Sequence, residues 1–392
     1  MMAVLIKNGS IYGPEYLGEQ DVLIIGDKIA RVEKSLEAAG VSCYFPEVTV
    51  IDASGQIIAP GFLDQHVHLT GGGGESGFAS RTPEVGLSKV IEAGITTVVG
   101  LLGTDGFTRS IEDLFAKAKA LELEGITTFI YTGSYRLPSA TITGSVARDI
   151  MFIDKVIGVK IAVADHRSSH ITADELTRLA ADARLGGMLS GKPGIVHIHM
   201  GGGCDLLNTI LQVVEKTDIP VTQLVPTHVT RTRELFLQAQ EFAKLGGRID
   251  ITSFAELEPD GKLKPSKALL ECIRKCIPLE NITISSDGNG SVPRYDGLGN
   301  IVGIGVGRLD ASLVVFKNLV KAEGVDIGTA LQFFTSNVAK VLKVYPNKGC
   351  IQMGSDADLV IMDQDLTLNM VFAKGKKMME SGTVLVKGTF EV

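Results

Sequence analysis

The hydrophobic pattern in the middle of the chain alternates between short apolar runs and longer amphipathic runs. The short runs are rich in β-branched residues and predict buried strands, whereas the longer runs have helical spacing. Eight strand-like runs can be identified: GFLDQHVHL, ITTVVGLLG, ITTFIYTG, VIGVKIAVA, GIVHIHMG, VTQLVPTHV, RIDITSF and NITISSDG. Strand–helix alternation repeated in this way predicts an α/β fold and favours a closed (β/α)8 TIM barrel over an open doubly wound sheet.

Both ends of the chain show a different pattern, in which short strands follow one another and are separated by turn residues. The first end contains AVLIKNGSIY and DVLIIGDKIARV, and the last contains DADLVIMD and TVLVKGTF. Neither end alone would have more than a very small core, so we predict one small β-sandwich domain formed by both chain termini. The predicted domains are a β-domain of residues 1–60 plus 349–392 and a barrel of residues 61–348. Two separate β appendages are the alternative.

Composition and charge exclude several classes of function. The net charge is −7 and no basic run is present, which argues against a nucleic-acid partner. No apolar stretch approaches the roughly 18 residues needed to span a bilayer, and the N-terminus does not resemble a signal peptide. The five cysteines form no CxxC pair, so we predict a cytoplasmic protein without a disulfide framework.

Potential metal ligands occur near the ends of the predicted barrel strands. His66 and His68 are two residues apart in the first strand, so their side chains face the same side. Because the C-terminal ends of parallel barrel strands meet at one mouth, these residues are expected to converge with ligands from four other strands: Lys160, His199, His228 and Asp287. Such a set suits two Zn²⁺ ions, although other divalent metals also fit.

Each of these residues also has an ordinary interpretation. A lone HxH pair can be two hydrogen-bonded histidines, and Lys160 could extend from a strand end to solvent. If Lys160 is buried instead, desolvation lowers its pKa, and the neutral amine can add CO₂ to form a carbamate that bridges two metals. Asp287 could ligate one metal and accept a proton from bound water. His197 shares the strand with His199 and is expected to lie beside a ligand or in the packing.

As an ordered set, these ligands resemble those of the binuclear amidohydrolase superfamily. Five local motifs narrow the resemblance to the isoaspartyl dipeptidases: HLTGGGGE, TGSYRLPS, VADHRSSH, PTHVTR and SSDGNGS. The resemblance implies a metallopeptidase that hydrolyses dipeptides linked through the aspartate side-chain carboxyl. It also implies a homo-oligomer, and the family often forms octamers.

A β-aspartyl dipeptide has one ammonium group and two carboxylates, so its site needs an acid and two cations. Glu75 is expected to meet the ammonium, and the resemblance assigns Arg231 to the aspartyl α-carboxylate and Arg167 to the C-terminal carboxylate. The remaining expected contacts are Ser291 at the amino group, Gly73 and Thr104 in the pocket wall, and Tyr135 at the scissile carbonyl oxygen. The expected catalytic residues are Asp287, Tyr135 and Glu75. A charged side chain on a polar loop can also be simply solvated, which is the alternative for each charge named here.

The leading hypothesis is metal-dependent hydrolysis of the β-aspartyl bond, with a metal-bound hydroxide as nucleophile and Asp287 as the proton shuttle. A cyclic amidase of the dihydroorotase or hydantoinase type is the second hypothesis and would use the same metals. The GGGGE loop and the two arginines argue against it, because a small ring needs neither an ammonium site nor two carboxylate sites. A non-catalytic barrel scaffold is the third hypothesis, and it would carry no stoichiometric metal.

Overall fold

The structure is a computed structural model that describes residues 3–45, 47–257, 263–296, 298 and 300–391. The N-terminal part is a run of strands whose buried hydrophobic residues form one core cluster with residues of the last strands, such as Leu359 and Phe372. This part consists of β1 (Ala3–Tyr12), β2 (Tyr16–Ile25), β3 (Lys28–Glu33), the short helix α1 (Ala38–Ser42), β4 (Val48–Asp52) and β5 (Ile57–Pro60).

Eight parallel strands then form the barrel, and each is almost entirely buried, as expected for strands covered on both faces. They are β6 (Phe62–Val67), β7 (Ile95–Gly100), β8 (Thr127–Gly133), β9 (Val156–Val163), β10 (Ile195–Met200), β11 (Leu224–Thr227), β12 (Ile249–Thr252) and β13 (Ile282–Ser285). All eight coincide with strand-like runs of the sequence, so the barrel prediction is confirmed.

Helices follow the barrel strands and cover the outside of the barrel. They are α2 (Leu87–Glu92), α3 (Ile111–Glu124), α4 (Val146–Phe152), α5 (Ala173–Ser190), α6 (Asn208–Lys216), α7 (Arg233–Lys244) and α8 (Pro265–Arg274). Polar residues before several of them satisfy backbone N–H groups that a helix start leaves unpaired. Thr172 and Glu175, for example, form a complete capping box at α5. None of the described helices combines the length and the apolar character that crossing a bilayer would require.

The barrel does not close through a continuous ladder between β6 and β13. The backbone N–H of Leu63 in β6 donates to the carbonyl of Phe334, and that of Ile284 in β13 donates to Phe333. At the mouth, the N–H of His68 donates directly to the carbonyl of Gly288 at 2.9 Å. The first and eighth strands are therefore joined through a later segment at the base but contact each other directly where the predicted ligands lie.

After the barrel, the chain forms an antiparallel hairpin, further helices and the last strands. These are β14 (Ser291–Tyr295), β15 (Ile301–Val306), α9 (Ala311–Lys321), α10 (Ile327–Gln332), α11 (Ser336–Val341), β16 (Leu359–Met362), β17 (Leu368–Ala373), β18 (Lys376–Glu380) and β19 (Thr383–Val384). β16 pairs antiparallel with β5, so both chain ends share one nine-stranded sheet beside the barrel. The prediction of a barrel flanked by a β-domain from both termini is thus confirmed, whereas the domain boundaries remain predictions.

Candidate active site

The two histidines of β6 meet the aspartate that follows β13. Nε2 of His66 lies 3.3 Å from Oδ1 of Asp287, and Nε2 of His68 lies 3.2 Å from the same oxygen. Burial opposes ionisation of Asp287, but the two imidazoles more than offset it and hold the pKa of the carboxyl well below its usual value. Asp287 also has a left-handed backbone with φ of 54°, a conformation that strained functional residues often adopt. The contact between the first and eighth strands therefore brings three predicted ligands together.

Lys160 lies in the interior of the barrel beneath these ligands. It is 0% exposed, which excludes the alternative that it reaches solvent. Its Nζ is 3.3 Å from Nε2 of His66, and no carboxylate of the described residues lies within ion-pair distance of it. Burial lowers the pKa of Lys160 to about 7, despite the opposing charges of Asp287 and Asp250. A substantial fraction of this amine is therefore neutral and nucleophilic near neutral pH.

His199 and His228 complete the cluster from β10 and from the residue after β11. Their ring centroids are 4.6 Å apart, and the His228 ring is 5.0 Å from that of His66. Burial holds the pKa values of His199 and His228 well below that of a free imidazole and lowers the pKa of His66 to about 3. All three rings are therefore neutral at pH 7, which is the form that coordinates metals.

The chemistry of this donor set fits a site for two divalent metals. Neutral imidazoles, an ionised carboxylate and an unpaired buried amine converge, and His66, His68 and Asp287 present ligand atoms within 4.8 Å of one another. Without a cation, burying this set would cost several kcal/mol of desolvation. The residues present can thus hold the metals that the sequence predicts, and their assignment as ligands stays a prediction.

A polar layer below the ligands was not predicted from the sequence in detail. His197 is paired in register with Lys160, and its Nε2 lies 3.0 Å from Nδ1 of His66. Its ring also stacks on Tyr131. Asp250 in β12 accepts hydrogen bonds from Gln65 and Thr227 at 2.8 and 2.7 Å. The contact with His197 holds Nδ1 of His66, so that its Nε2 faces Asp287.

Glu75 stands on the glycine-rich loop after β6 and faces the same mouth. Its Oε1 accepts a hydrogen bond from the Ser291 hydroxyl at 2.9 Å and from the Thr104 hydroxyl at 3.2 Å. The loop folds tightly because Gly73 has φ of 85°, and a Cβ there would lie 2.2 Å from the carbonyl of Ser80. Arg109 further holds the loop through hydrogen bonds to its backbone carbonyls.

Two arginines and a tyrosine also line the mouth. The Arg167 guanidinium lies 3.3 Å from Glu75 and 2.8 Å from Asp165, whereas the side chain of Arg231 is 36% exposed and has its nearest carboxylate contact, 3.9 Å, with Asp165. The Tyr135 hydroxyl lies 2.6 Å from Nδ1 of His199. Burial raises the pKa of Tyr135, so the phenol stays protonated and can donate.

All predicted site residues except His66 and Lys160 line one cavity, and those two lie directly beneath it. Asp165 lies in the VADHRSSH motif but was not among the predicted site residues. A carboxylate immediately after a barrel strand and two residues before a predicted binding arginine was the available signal. Asp250 and His197 gave a weaker signal, because their partners come from strands distant in sequence.

Comparison with known proteins agrees with this architecture. A model of the amidohydrolase family matches residues 57–390. The crystal structure of β-aspartyl dipeptidase from Fervidobacterium islandicum AW-1, in complex with β-Asp-Leu dipeptide, is 45% identical, covers 98% of each chain and superposes with a TM-score of 0.90.

More distant relatives share the fold or a part of the sequence. Dihydropyrimidinase from Brevibacillus agri NCHU1002 is 18% identical, covers 99% of this chain and 97% of its own, and has a TM-score of 0.69. Dihydroorotase from Staphylococcus epidermidis (strain ATCC 35984) is 36% identical over 108 residues, which are 28% of this chain and 24% of that protein. The chain thus spans about a quarter of the length of that dihydroorotase.

The similarity to the Fervidobacterium β-aspartyl dipeptidase covers 98% of the chain. The match to the amidohydrolase family model includes every predicted ligand. The chain therefore belongs to the amidohydrolase family and is, within it, a full-length relative of β-aspartyl dipeptidase.

Proposed function

We propose that this protein hydrolyses the isopeptide bond of β-aspartyl dipeptides. The observation that carries the proposal is the arrangement of charges around the cavity, where Glu75 and the guanidinium groups of Arg167 and Arg231 surround the buried ligand cluster. This arrangement complements a substrate with one ammonium and two carboxylates. The Fervidobacterium β-aspartyl dipeptidase, which was crystallised with such a dipeptide, supports the same assignment.

The residues that would hold the metals are His66, His68, His199, His228 and Asp287, with a carbamate on Lys160 as a further ligand. We propose zinc as the metal. Two such ions would acidify a bound water and polarise the substrate carbonyl. The low pKa of Lys160 supports carbamate formation, because the neutral amine attacks CO₂ and the product is an anion.

The protein's own side chains bind and orient the substrate. Glu75, held by Ser291 and Thr104, accepts hydrogen bonds from the substrate ammonium while Gly73 keeps the loop close. Arg231 binds the aspartyl α-carboxylate, and its exposure leaves its guanidinium free to turn towards a ligand. Arg167 binds the C-terminal carboxylate.

Two side chains act on the reacting atoms. Tyr135 donates its O–H to the scissile carbonyl oxygen as that oxygen becomes negative, a contact that stabilises the transition state by roughly 3–4 kcal/mol. Asp287 accepts the proton of the attacking water and passes it to the leaving amine. Replacing Asp287 with Asn should preserve substrate binding and abolish turnover, and near-normal rates in that variant would exclude the proton-shuttle role.

The decisive test is a hydrolysis assay of zinc-loaded protein in bicarbonate with β-Asp-Leu and its α-linked isomer. We expect cleavage of the β-linked peptide alone. Glu75→Gln should raise KM for β-Asp-Leu about 10- to 100-fold, since the substrate ammonium loses its negatively charged partner. Glu84→Gln, at an exposed acid on the same side of the barrel, is the matched control. Equal cleavage of both isomers, or cleavage of neither, would contradict the proposal.

A cyclic amidase remains the second candidate, because the partial match to dihydroorotase is the observation that favours it. Dihydroorotate and a hydantoin belong in the same assay, with metal content measured on the same sample. Ring opening without β-Asp-Leu cleavage would favour the cyclic amidase, whereas absence of stoichiometric metal would favour the scaffold. We also propose a homo-oligomer and a cytoplasmic location, which size-exclusion chromatography and cell fractionation would test.

A further inference from the structure

Asp165 contacts a predicted metal ligand, His199, and a predicted substrate-binding residue, Arg167. It is itself neither a predicted ligand nor a predicted substrate contact. Its side chain is 2% exposed, and four donors point at its two oxygens. Oδ2 lies 2.8 Å from Nε2 of His199 and 2.8 Å from the Arg167 guanidinium. Oδ1 accepts hydrogen bonds from Nε and from the backbone N–H of Arg167, at 3.0 and 2.8 Å.

The contact with His199 decides which nitrogen of that imidazole has the proton. An ionised carboxylate only accepts hydrogen bonds, so Nε2 of His199 must be the protonated nitrogen. Nδ1 is therefore left with its lone pair, and it faces the mouth, where it lies beside the Tyr135 hydroxyl. A carboxylate that fixes a ligating histidine in this way is a common feature of protein metal sites.

The contact with Arg167 fixes the guanidinium in a forked geometry. Two of its nitrogens face the two oxygens of Asp165, which leaves NH1 to point towards Glu75 at 3.3 Å. The guanidinium also lies over the Tyr135 ring, with 5.4 Å between Cζ and the ring centroid. A continuous path of contacts therefore runs from the His199 imidazole through Asp165 and Arg167 to Glu75.

The backbone conformation around Asp165 allows the loop after β9 to pack closely against the end of β10. Ala164 adopts a left-handed conformation with φ of 54°, which turns the chain at the end of β9. Gly201 lies against this turn, and a Cβ there would be 2.1 Å from the carbonyl of Ala164 and 2.5 Å from Cα of Asp165. The glycine after β10 thus lets the loop that holds Asp165 approach the strand that holds His199.

From this geometry we propose that Asp165 is a positioning residue with two simultaneous tasks. It presents Nδ1 of His199 to the metal site, and it holds Arg167 in place for a substrate carboxylate. The second task rests on the proposed dipeptidase function, whereas the first rests only on the fit of the site to metals. Neither task requires Asp165 to touch the substrate.

The test compares the wild type with Asp165→Asn, Arg167→Met and the double variant. Metal affinity is measured by competition of Zn²⁺ with a chelator, and KM and kcat for β-Asp-Leu are measured at saturating zinc. We expect Asp165→Asn to weaken zinc binding about 10- to 100-fold and to raise KM about tenfold. Arg167→Met should raise KM and leave zinc affinity within about twofold of the wild type.

The double variant separates positioning from general damage to the structure. In the Arg167→Met background, Asp165→Asn should raise KM no further but should still weaken zinc binding. The double variant also removes both charges of the buried Asp165–Arg167 pair together. It can therefore be studied even if Asp165→Asn or Arg167→Met alone fails to fold. Asp205→Asn is the control, because Asp205 lies on the loop after β10 and accepts from Thr209.

Unchanged zinc affinity and unchanged KM in Asp165→Asn would overturn the proposal, and a change in only one of them would overturn the double role. Additive effects on KM in the double variant would also overturn it. If the wild type fails to cleave β-Asp-Leu, the proposed function fails, yet the zinc measurement still decides whether Asp165 supports His199.

Discussion

Lys160 in the barrel interior and Lys348 beside the terminal sheet are both buried, and their surroundings differ. Nζ of Lys348 lies 2.8 Å from Asp356 and is also paired with Asp358. Burial acts to lower its pKa, but the two carboxylates more than offset this and raise it. The Lys160 amine contacts the imidazole of His66 instead of a carboxylate, and burial lowers its pKa to about 7.

The same side chain is thus structural beside the terminal sheet and reactive in the barrel interior. Asp358 also accepts a hydrogen bond from the N–H of Lys374 at 2.7 Å, and Asp356 pairs with Lys28, so the Lys348 cluster ties both chain ends together. A charged lysine with counterions has little tendency to react. A buried lysine without counterions has a lowered pKa and loses its proton more easily, and only the neutral amine reacts with CO₂.

Removal of the Lys160 amine should have the largest effect. We expect Lys160→Met to lose its metals and to have a kcat/KM lower by about 10³-fold or more. Loss of even an outer partner of a metal ligand lowers metal affinity or activity by about 10- to 100-fold. Lys348→Met should keep full metal content and turnover per folded molecule. Metal analysis and steady-state kinetics check both variants, and an active Lys160→Met protein would refute the proposed role of this lysine.

The second prediction concerns the stability of the metal-free protein as a function of pH. The pKa of Lys160 is about 7 in the folded state and 10.5 at its ordinary value, so between these values the unfolded chain binds more protons. The free energy of unfolding should therefore rise with pH across this window, by about 5 kcal/mol in full. Urea unfolding at pH 6, 7.5 and 9 should show roughly half of this rise in the wild type relative to Lys160→Met, because the window extends to pH 10.5. Parallel pH profiles would contradict the assigned pKa.

The third prediction concerns the paired lysine. Lys348→Met should lower the free energy of unfolding by about 3–5 kcal/mol, because it leaves the buried carboxylate of Asp358 without its counterion. Lys321→Met is the control, since Lys321 pairs with Asp365 at 3.2 Å on the exposed surface, where such pairs contribute about 0–1 kcal/mol. Equal effects of the two substitutions, measured by urea denaturation, would show that burial of the Lys348 pair does not matter.

Conservative replacement of each lysine by arginine should affect the two sites differently, and the effect at Lys348 is the smallest expected. Lys348→Arg retains the charge and should cost only about 1–3 kcal/mol of stability through the larger side chain. Lys160→Arg should be as inactive as Lys160→Met, because a guanidinium remains protonated and cannot form a carbamate. Thermal unfolding and the β-Asp-Leu assay distinguish these outcomes, and residual activity of Lys160→Arg above that of Lys160→Met would argue against the carbamate.

Much of the fold could be predicted because its signals are local. β-Branched runs that alternate with amphipathic runs identified all eight barrel strands. The contact of the first strand with the eighth through Phe333 and Phe334 could not be predicted, because it depends on how a later segment packs between them. The pairing of β16 with β5 was expected only in outline, since strand register is not encoded locally.

The sequence by itself determined which chemical groups are available and on which side of the barrel they emerge. Strand ends, the spacing of two between His66 and His68, and the charges on the loops suffice for this, because parallel strands share one mouth. Only the tertiary structure decided which groups become partners: Asp165 with His199, His197 with His66, and the absence of an ion pair for Lys160 among the described residues. The physical reason is that pKa values and tautomers depend on distances of a few ångströms between distant segments, and those distances exist only once the barrel has closed.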